Sequence, residues 1–181
     1  MKKVLVLVDC QKDFMNANGK LYVPDAENIK KNILRLVNDN NFDQIIVTKD
    51  THDKETYAST EEAKIFPPHC LLCTSGHGLF DELAIALKTK GSVMRITKGY
   101  FDIWKESAFH DYVHAEMTTD DELTIVGVAT NYCVFYNVAG FIKQGFKNIS
   151  VPSNCVKEIP DDTFQKTLNT FKQWGIKSDA I

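Results

Sequence analysis

Leu123-Thr124-Ile125-Val126-Gly127-Val128-Ala129-Thr130-Asn131-Tyr132-Cys133 is the stretch on which the reading of this chain turns. An apolar strand runs into a tight turn, and the turn ends in a cysteine. Downstream, Val134, Val138, Phe141 and Ile142 recur at i, i+4, i+7 and i+8. That spacing is one face of a helix expected over Asn131–Gln144. A thiol opening a helix meets free backbone N–H groups and the positive end of the helix dipole, and both favour thiolate. The same N–H groups can hold an oxyanion. The alternative is a small buried core cysteine.

The rest of the chain repeats the alternation. Val4–Asp9, Gln44–Thr48, Ser92–Thr97, Glu122–Val128 and Asn148–Val151 are expected strands. Helices are expected from Pro24-Asp25 to Val37, over Leu79–Leu87, near Phe109–Glu116, and over Asp161–Trp174. Ile176 onward is a short last strand or a tail. Such an order implies an α/β fold, a three-layer α/β/α sandwich with a mostly parallel sheet, Rossmann-like in outline. In such sheets ligands bind outside the carboxyl ends of the strands. Asp9, Asp50, Lys98 and Cys133 each stand at or just past such an end.

Bulk composition narrows the classes. The 181 residues suit one domain, 1–181, with 44% hydrophobic and 25% charged residues. A net charge of −3 offers no field for nucleic acid. No apolar run approaches a membrane span. The opening Val4–Val8 run meets Asp9 at once, which fits a buried strand better than a signal peptide. Five scattered cysteines argue against a disulfide framework and for a reducing, cytoplasmic setting. Neither GxGxxG nor GxxxxGK[ST] occurs, so dinucleotide and P-loop sites are unsupported.

Two chemistries emerge from the strand ends. Asp9, Lys98 and Cys133 can share protons: the carboxylate takes the thiol proton and the ammonium stabilises the anions. Separately, Asp9 can cap a loop and Lys98 can be solvated surface. The long irregular segment from Lys49 to Gly78 carries the second chemistry, since loops of that length are usually functional. Asp50 and His52 share one side of an extended chain. Glu62 and His69 follow, with Pro67-Pro68 stiffening the approach. Two imidazoles and two carboxylates suit zinc, manganese or iron(II), and the alternative is a polar surface loop. Cys70 and Cys73 form a CxxC without a partner pair, which is weak as a zinc motif.

The motifs together resemble a known family. Val8-Asp9-Cys10-Gln11-Lys12-Asp13-Phe14 is similar to the D-x-Q-x-D-F opening of the isochorismatase-like cysteine hydrolases. Thr97-Lys98-Gly99 with Ser107-Ala108-Phe109 resembles their catalytic-lysine segment, and Gly127 to Val134 their nucleophile turn. Asp50-Thr51-His52 and Phe66-Pro67-Pro68-His69-Cys70 resemble the metal loop of the nicotinamidase/pyrazinamidase branch.

The resemblance implies an Asp9–Lys98–Cys133 triad. It also implies a cis peptide between Val128 and Ala129, and an oxyanion hole from the Ala129 and Cys133 N–H groups. It implies a divalent metal, most often zinc, held by Asp50, His52, His69 and Glu62, with Glu61 as the rival fourth ligand. In the branch this metal binds the pyridine nitrogen, and Phe14, Phe66 and Phe101 are the expected ring walls. The implied reaction is nicotinamide to nicotinate and ammonia through a cysteine thioester, with homo-oligomeric assembly expected by analogy. The alternatives are another small amide, an N-carbamoyl compound or an isochorismate-like substrate, and a catalytically silent binding protein on the same fold. The chain departs from the branch at Thr51, where tryptophan is frequent, and at Asn131, where aspartate is common. Its 98–107 stretch is also longer than in many relatives.

Overall fold

β1, Lys3–Val8, is buried on both faces, and its side chains divide the core. Leu5 and Leu7 join one apolar cluster with Ile33, Val37 and Leu83. Val4, Val6 and Val8 join a second with Phe109, Val138, Phe141 and Phe171. Period-two alternation along a central strand thus builds the outer layers on opposite faces. The computed structural model describes residues 1–180.

β2 is Gln44–Asp50, β3 Val93–Lys98, β4 Glu122–Val128, β5 Asn148–Ser150 and β6 Val156–Lys157. The order is β3-β2-β1-β4-β5, with β6 pairing to β4, and every pairing is parallel. The chain steps outward from β1 to β3 and then crosses back to β4 on the other side of β1. A crevice therefore opens at the carboxyl ends of β1 and β4. Helices α2 (Lys30–Asn38) and α3 (Asp81–Ala86) supply residues to the first core cluster. Helices α4 (Ser107–Glu116), α5 (Phe135–Lys143) and α6 (Asp162–Gln173) supply the second. The expected three-layer α/β/α arrangement is the one observed.

Several element bounds differ from the sequence expectation. The first long helix begins as a 3-10 turn, Ala26–Ile29, after Asp25 takes a left-handed φ of 60°. The Leu79–Leu87 helix is shorter, with Leu87–Thr89 tightened to 3-10. A short helix, α1 (Lys12–Met15), follows β1; it was not expected, nor was β6. Past Ile176 a single bridge joins Lys177 to Ser150, and Ile181 lies outside the described residues.

The largest departure is at Cys133. The helix expected from Asn131 opens as a widened π-type turn, Thr130–Val134, with Tyr132 off helical geometry at φ −125°, ψ −106°. Regular helix starts only at Phe135. Gly127 precedes this turn with a φ of 117°. A side chain there would strike the Val8 carbonyl, so glycine lets β4 close on the end of β1.

Candidate active site

Four strand ends deliver the four expected groups to one rim. Asp9 follows β1 in a left-handed conformation, φ 50°, which aspartate tolerates better than most residues. Asp50 ends β2 and Lys98 ends β3, and the two are register partners. Cys133 sits in the turn after β4. All four are buried, Lys98 with 1% exposure, a value lysine reaches only when paired.

The Lys98 ammonium is the hub. Its Nζ lies 2.8 Å from Asp9 Oδ2, 3.4 Å from Asp50 Oδ1 and 3.4 Å from Cys133 Sγ. Asp9 Oδ1 accepts a hydrogen bond from Thr48 Oγ1 at 2.6 Å. Burial pushes the Asp9 carboxyl up, against the pull of Lys98. Burial alone would discharge Lys98, but Asp50 and Asp9 hold it protonated well above the ordinary lysine range. Burial raises the Cys133 thiol well above the ordinary value, against the pull of Lys98, and so favours the thiol form.

Asp50 joins this hub to a second cluster. Its Oδ2 is 3.1 Å from His52 Nε2 and 2.9 Å from His69 Nε2. Glu62 Oε2 lies 3.4 Å and 3.5 Å from the same two nitrogens. One ligand atom from each of these four residues falls within 4.8 Å of the others. Glu61 is exposed and paired with Lys64 at 2.8 Å, so Glu62 is the acid the fold places here. Glu62 Oε1 is buried without a hydrogen-bond partner. His69 Nδ1 contacts the Pro67 carbonyl at 2.8 Å, which directs Nε2 inward. Two imidazoles, two carboxylates and an orphaned carboxylate oxygen fit a divalent cation. Among the described residues the cluster takes neither Cys70 nor Cys73.

Burial opposes charge on both histidines, but hydrogen bonds to Asp50 and Glu62 push each up to about 9. Burial likewise opposes the Asp50 anion, yet Lys98 and both histidines hold it well below the carboxylate range. Raised histidines stabilise the cation-free fold fully below their ordinary 6.5, and this is lost as pH rises through about 9. A bound cation must displace both protons. Its affinity is therefore expected to weaken below pH 9, approaching about a hundredfold per pH unit for two protons. Zinc competition titrations from pH 6 to 9 check this, and a flat affinity across that range would contradict it.

Beside the two clusters lies a pocket with a cavity volume of about 20 Å³. The expected ring walls Phe14, Phe66 and Phe101 line it with Asp50, Glu62 and Cys133. Sequence reasoning missed further walls, among them Leu21, Val23, Tyr132 and Ile159, and the residues that hold the metal loop. The Gln11 side chain clamps the Asp50 backbone, donating to its carbonyl at 2.8 Å and accepting from its N–H at 2.7 Å. Asp13 accepts the Cys70 N–H at 2.7 Å, fixing the residue after His69. Their sequence signal is the D-x-Q-x-D-F opening, in which both stand just after Asp9. The Val128–Ala129 peptide is cis.

Comparison with known proteins adds to this geometry. A family model described as the Isochorismatase domain matches residues 3–177. The nicotinamidase of Saccharomyces cerevisiae is 32% identical, with 94% of each chain covered. The solved structure of the yeast nicotinamidase bound to the inhibitor nicotinaldehyde superposes with a TM-score of 0.83 at 25% identity, covering 99% of this chain and 100% of that one. The pyrazinamidase of Pyrococcus horikoshii in complex with zinc has the same fold, with a TM-score of 0.78 at 24% identity and both chains fully covered.

Proposed function

The chain belongs to the isochorismatase family, and from that premise we propose that it hydrolyses nicotinamide to nicotinate and ammonia through a thioester on Cys133. The observation that carries this reading is the Lys98 hub. One buried ammonium touches the thiol, a carboxylate and the metal-type cluster beneath an aromatic pocket. The metal-type cluster also weighs against the branches that lack a metal loop.

The roles follow from chemistry and placement. Asp9 takes the Cys133 proton as the sulfur attacks the amide carbon, because the resting sulfur is a thiol. Lys98 offsets the negative charge that moves between sulfur and carboxylate. The Ala129 and Cys133 N–H groups receive the oxyanion. Asp9 returns its proton to the departing amine, leaving a thioester and ammonia. Asp9 then accepts a proton from water as the water oxygen attacks the thioester carbon. Collapse expels the Cys133 sulfur, which is reprotonated, and nicotinate leaves.

Asp50, His52, Glu62 and His69 would hold a divalent cation, zinc being the best match to the donor set. Such a cation supplies a Lewis-acidic anchor for a ring nitrogen. Phe14, Phe66 and Phe101 pack the ring faces, at about 1 kcal/mol for each aromatic contact. No helix among the described residues is long and apolar enough to cross a membrane. The five free cysteines support a reducing, cytoplasmic setting.

The deciding experiment is ammonia release from nicotinamide by purified protein, with metal content measured on the same sample. Rapid release with about one metal per chain is expected. Metal without release would redirect the substrate to another heteroaromatic or small amide. Neither metal nor release would overturn the cluster assignment as well. His52→Ala is expected to weaken zinc binding by at least about a hundredfold and to raise KM. Glu61→Gln should change neither, and wild-type metal content in the His52 variant would contradict the ligand set.

A further inference from the structure

A hydrogen-bond cluster that the chemistry above leaves unused ties the nucleophile turn to the start of α6. Asn131 Oδ1 accepts from the Ile159 N–H at 3.1 Å, and Asn131 Nδ2 donates to the Ile159 carbonyl at 2.9 Å. The same Nδ2 lies 3.0 Å from Asp161 Oδ1 and 2.9 Å from Thr163 Oγ1. Tyr132 donates its hydroxyl to Asp161 Oδ2 at 2.6 Å. Asp161 also caps α6 by accepting from the Thr163 N–H.

What this cluster holds is the pocket. The Tyr132 ring packs on Phe66 and Phe101, each at 5.3 Å between centroids, and lines the pocket with Ile159. Tyr132 is also the residue whose backbone leaves helical geometry one position before the nucleophile. Free to relax, it would swing its ring and shift Cys133 together.

The residue at 131 is matched to this task. An amide accepts from one partner and donates to another, so it can close on both the Ile159 N–H and its carbonyl. A carboxylate at 131 would face that carbonyl and the Asp161 carboxylate near 3 Å without a donor.

We propose that Asn131 and Asp161 form a latch that sets Tyr132 and Ile159 against the substrate ring. Asn131 and Asp161 are positioning residues for turnover, and Tyr132 is a specificity-determining wall. The kinetic part rests on the amide-hydrolase reading. Alkylation of Cys133 by iodoacetamide, followed by peptide mass mapping, does not.

Asn131→Asp is expected to lower kcat/KM about tenfold or more and to change the Cys133 alkylation rate by at least about threefold. Tyr132→Phe keeps the ring but frees it, so KM rises with kcat within about twofold. The latch is overturned if Asn131→Asp leaves both readouts unchanged. Should Asn131→Asp fail to fold, Tyr132→Phe with wild-type KM and alkylation rate overturns it. A wild-type protein that leaves nicotinamide intact would count against the function, and alkylation alone would then decide the latch.

Discussion

Cys133→Ala is expected to lose turnover by roughly 10⁴- to 10⁶-fold while keeping its fold and its metal, the scale seen when a nucleophile acting as part of a unit is removed. The separation of effects follows from what Sγ touches. Its polar contact is the Lys98 ammonium, which keeps Asp9 at 2.8 Å and Asp50 at 3.4 Å when the sulfur is gone. No buried charge is orphaned. The packing loss is one sulfur atom in the second core cluster, about 1 kcal/mol, or a fall of about 2–4 °C in Tm. The checks are ammonia release, metal content and thermal melting on one preparation. Turnover within about tenfold of wild type would remove Cys133 from the nucleophile role. A fall in stability of several kcal/mol would mean that the thiol holds the site together in a way the contacts do not predict.

The parts of this site that could be read from sequence are those set by strand physics. Val4–Val8 is apolar without interruption because both faces of a central strand are covered, so the polar group that ends the run stands out. Asp9 was recoverable in this way, and Asp50 and Lys98 by their place at or just past the ends of expected strands. Glu62 and His69 were not, because the segment between β2 and α3 is mostly irregular and its path is set by distant contacts. Asp13 holds the Cys70 N–H across 57 residues, and Gln11 holds Asp50 across 39. Their residue types in a long loop made them candidates, and the family resemblance assigned them as ligands. The π-type turn escaped for a related reason. The apolar spacing after Cys133 predicts helix, and nothing local announces that ties to Ile159 and Asp161 pull Asn131 and Tyr132 out of the regular path. Tyr132 and Ile159 were missed as pocket walls with them.

Lys98→Met is the second large effect, and it separates the two duties of the hub. The ammonium is fully buried between two buried carboxylates. Breaking a buried ion pair by removing one partner costs about 3–5 kcal/mol, because the other charge is left unpaired. At a few degrees per kcal/mol, Tm should fall by roughly 6–20 °C. Activity should fall at least about a thousandfold, since nothing then offsets charge on the sulfur or on Asp9. The stability loss has a sign in pH. Asp9 is already pushed up by burial, and without Lys98 it rises further. A carboxyl raised in the folded state takes up its proton readily on acidification, so the variant approaches wild type as pH falls and diverges as pH rises. Denaturant titrations at pH 5 and pH 8 measure the trend. Adding Asp9→Asn to Lys98→Met removes the unpaired charge. Stability should return toward wild type, since replacing both members of a buried pair is often neutral, while turnover stays lost. A double variant as unstable as the single one would place the cost in side-chain packing, and a Lys98→Met protein with wild-type stability and turnover would dissolve the hub altogether.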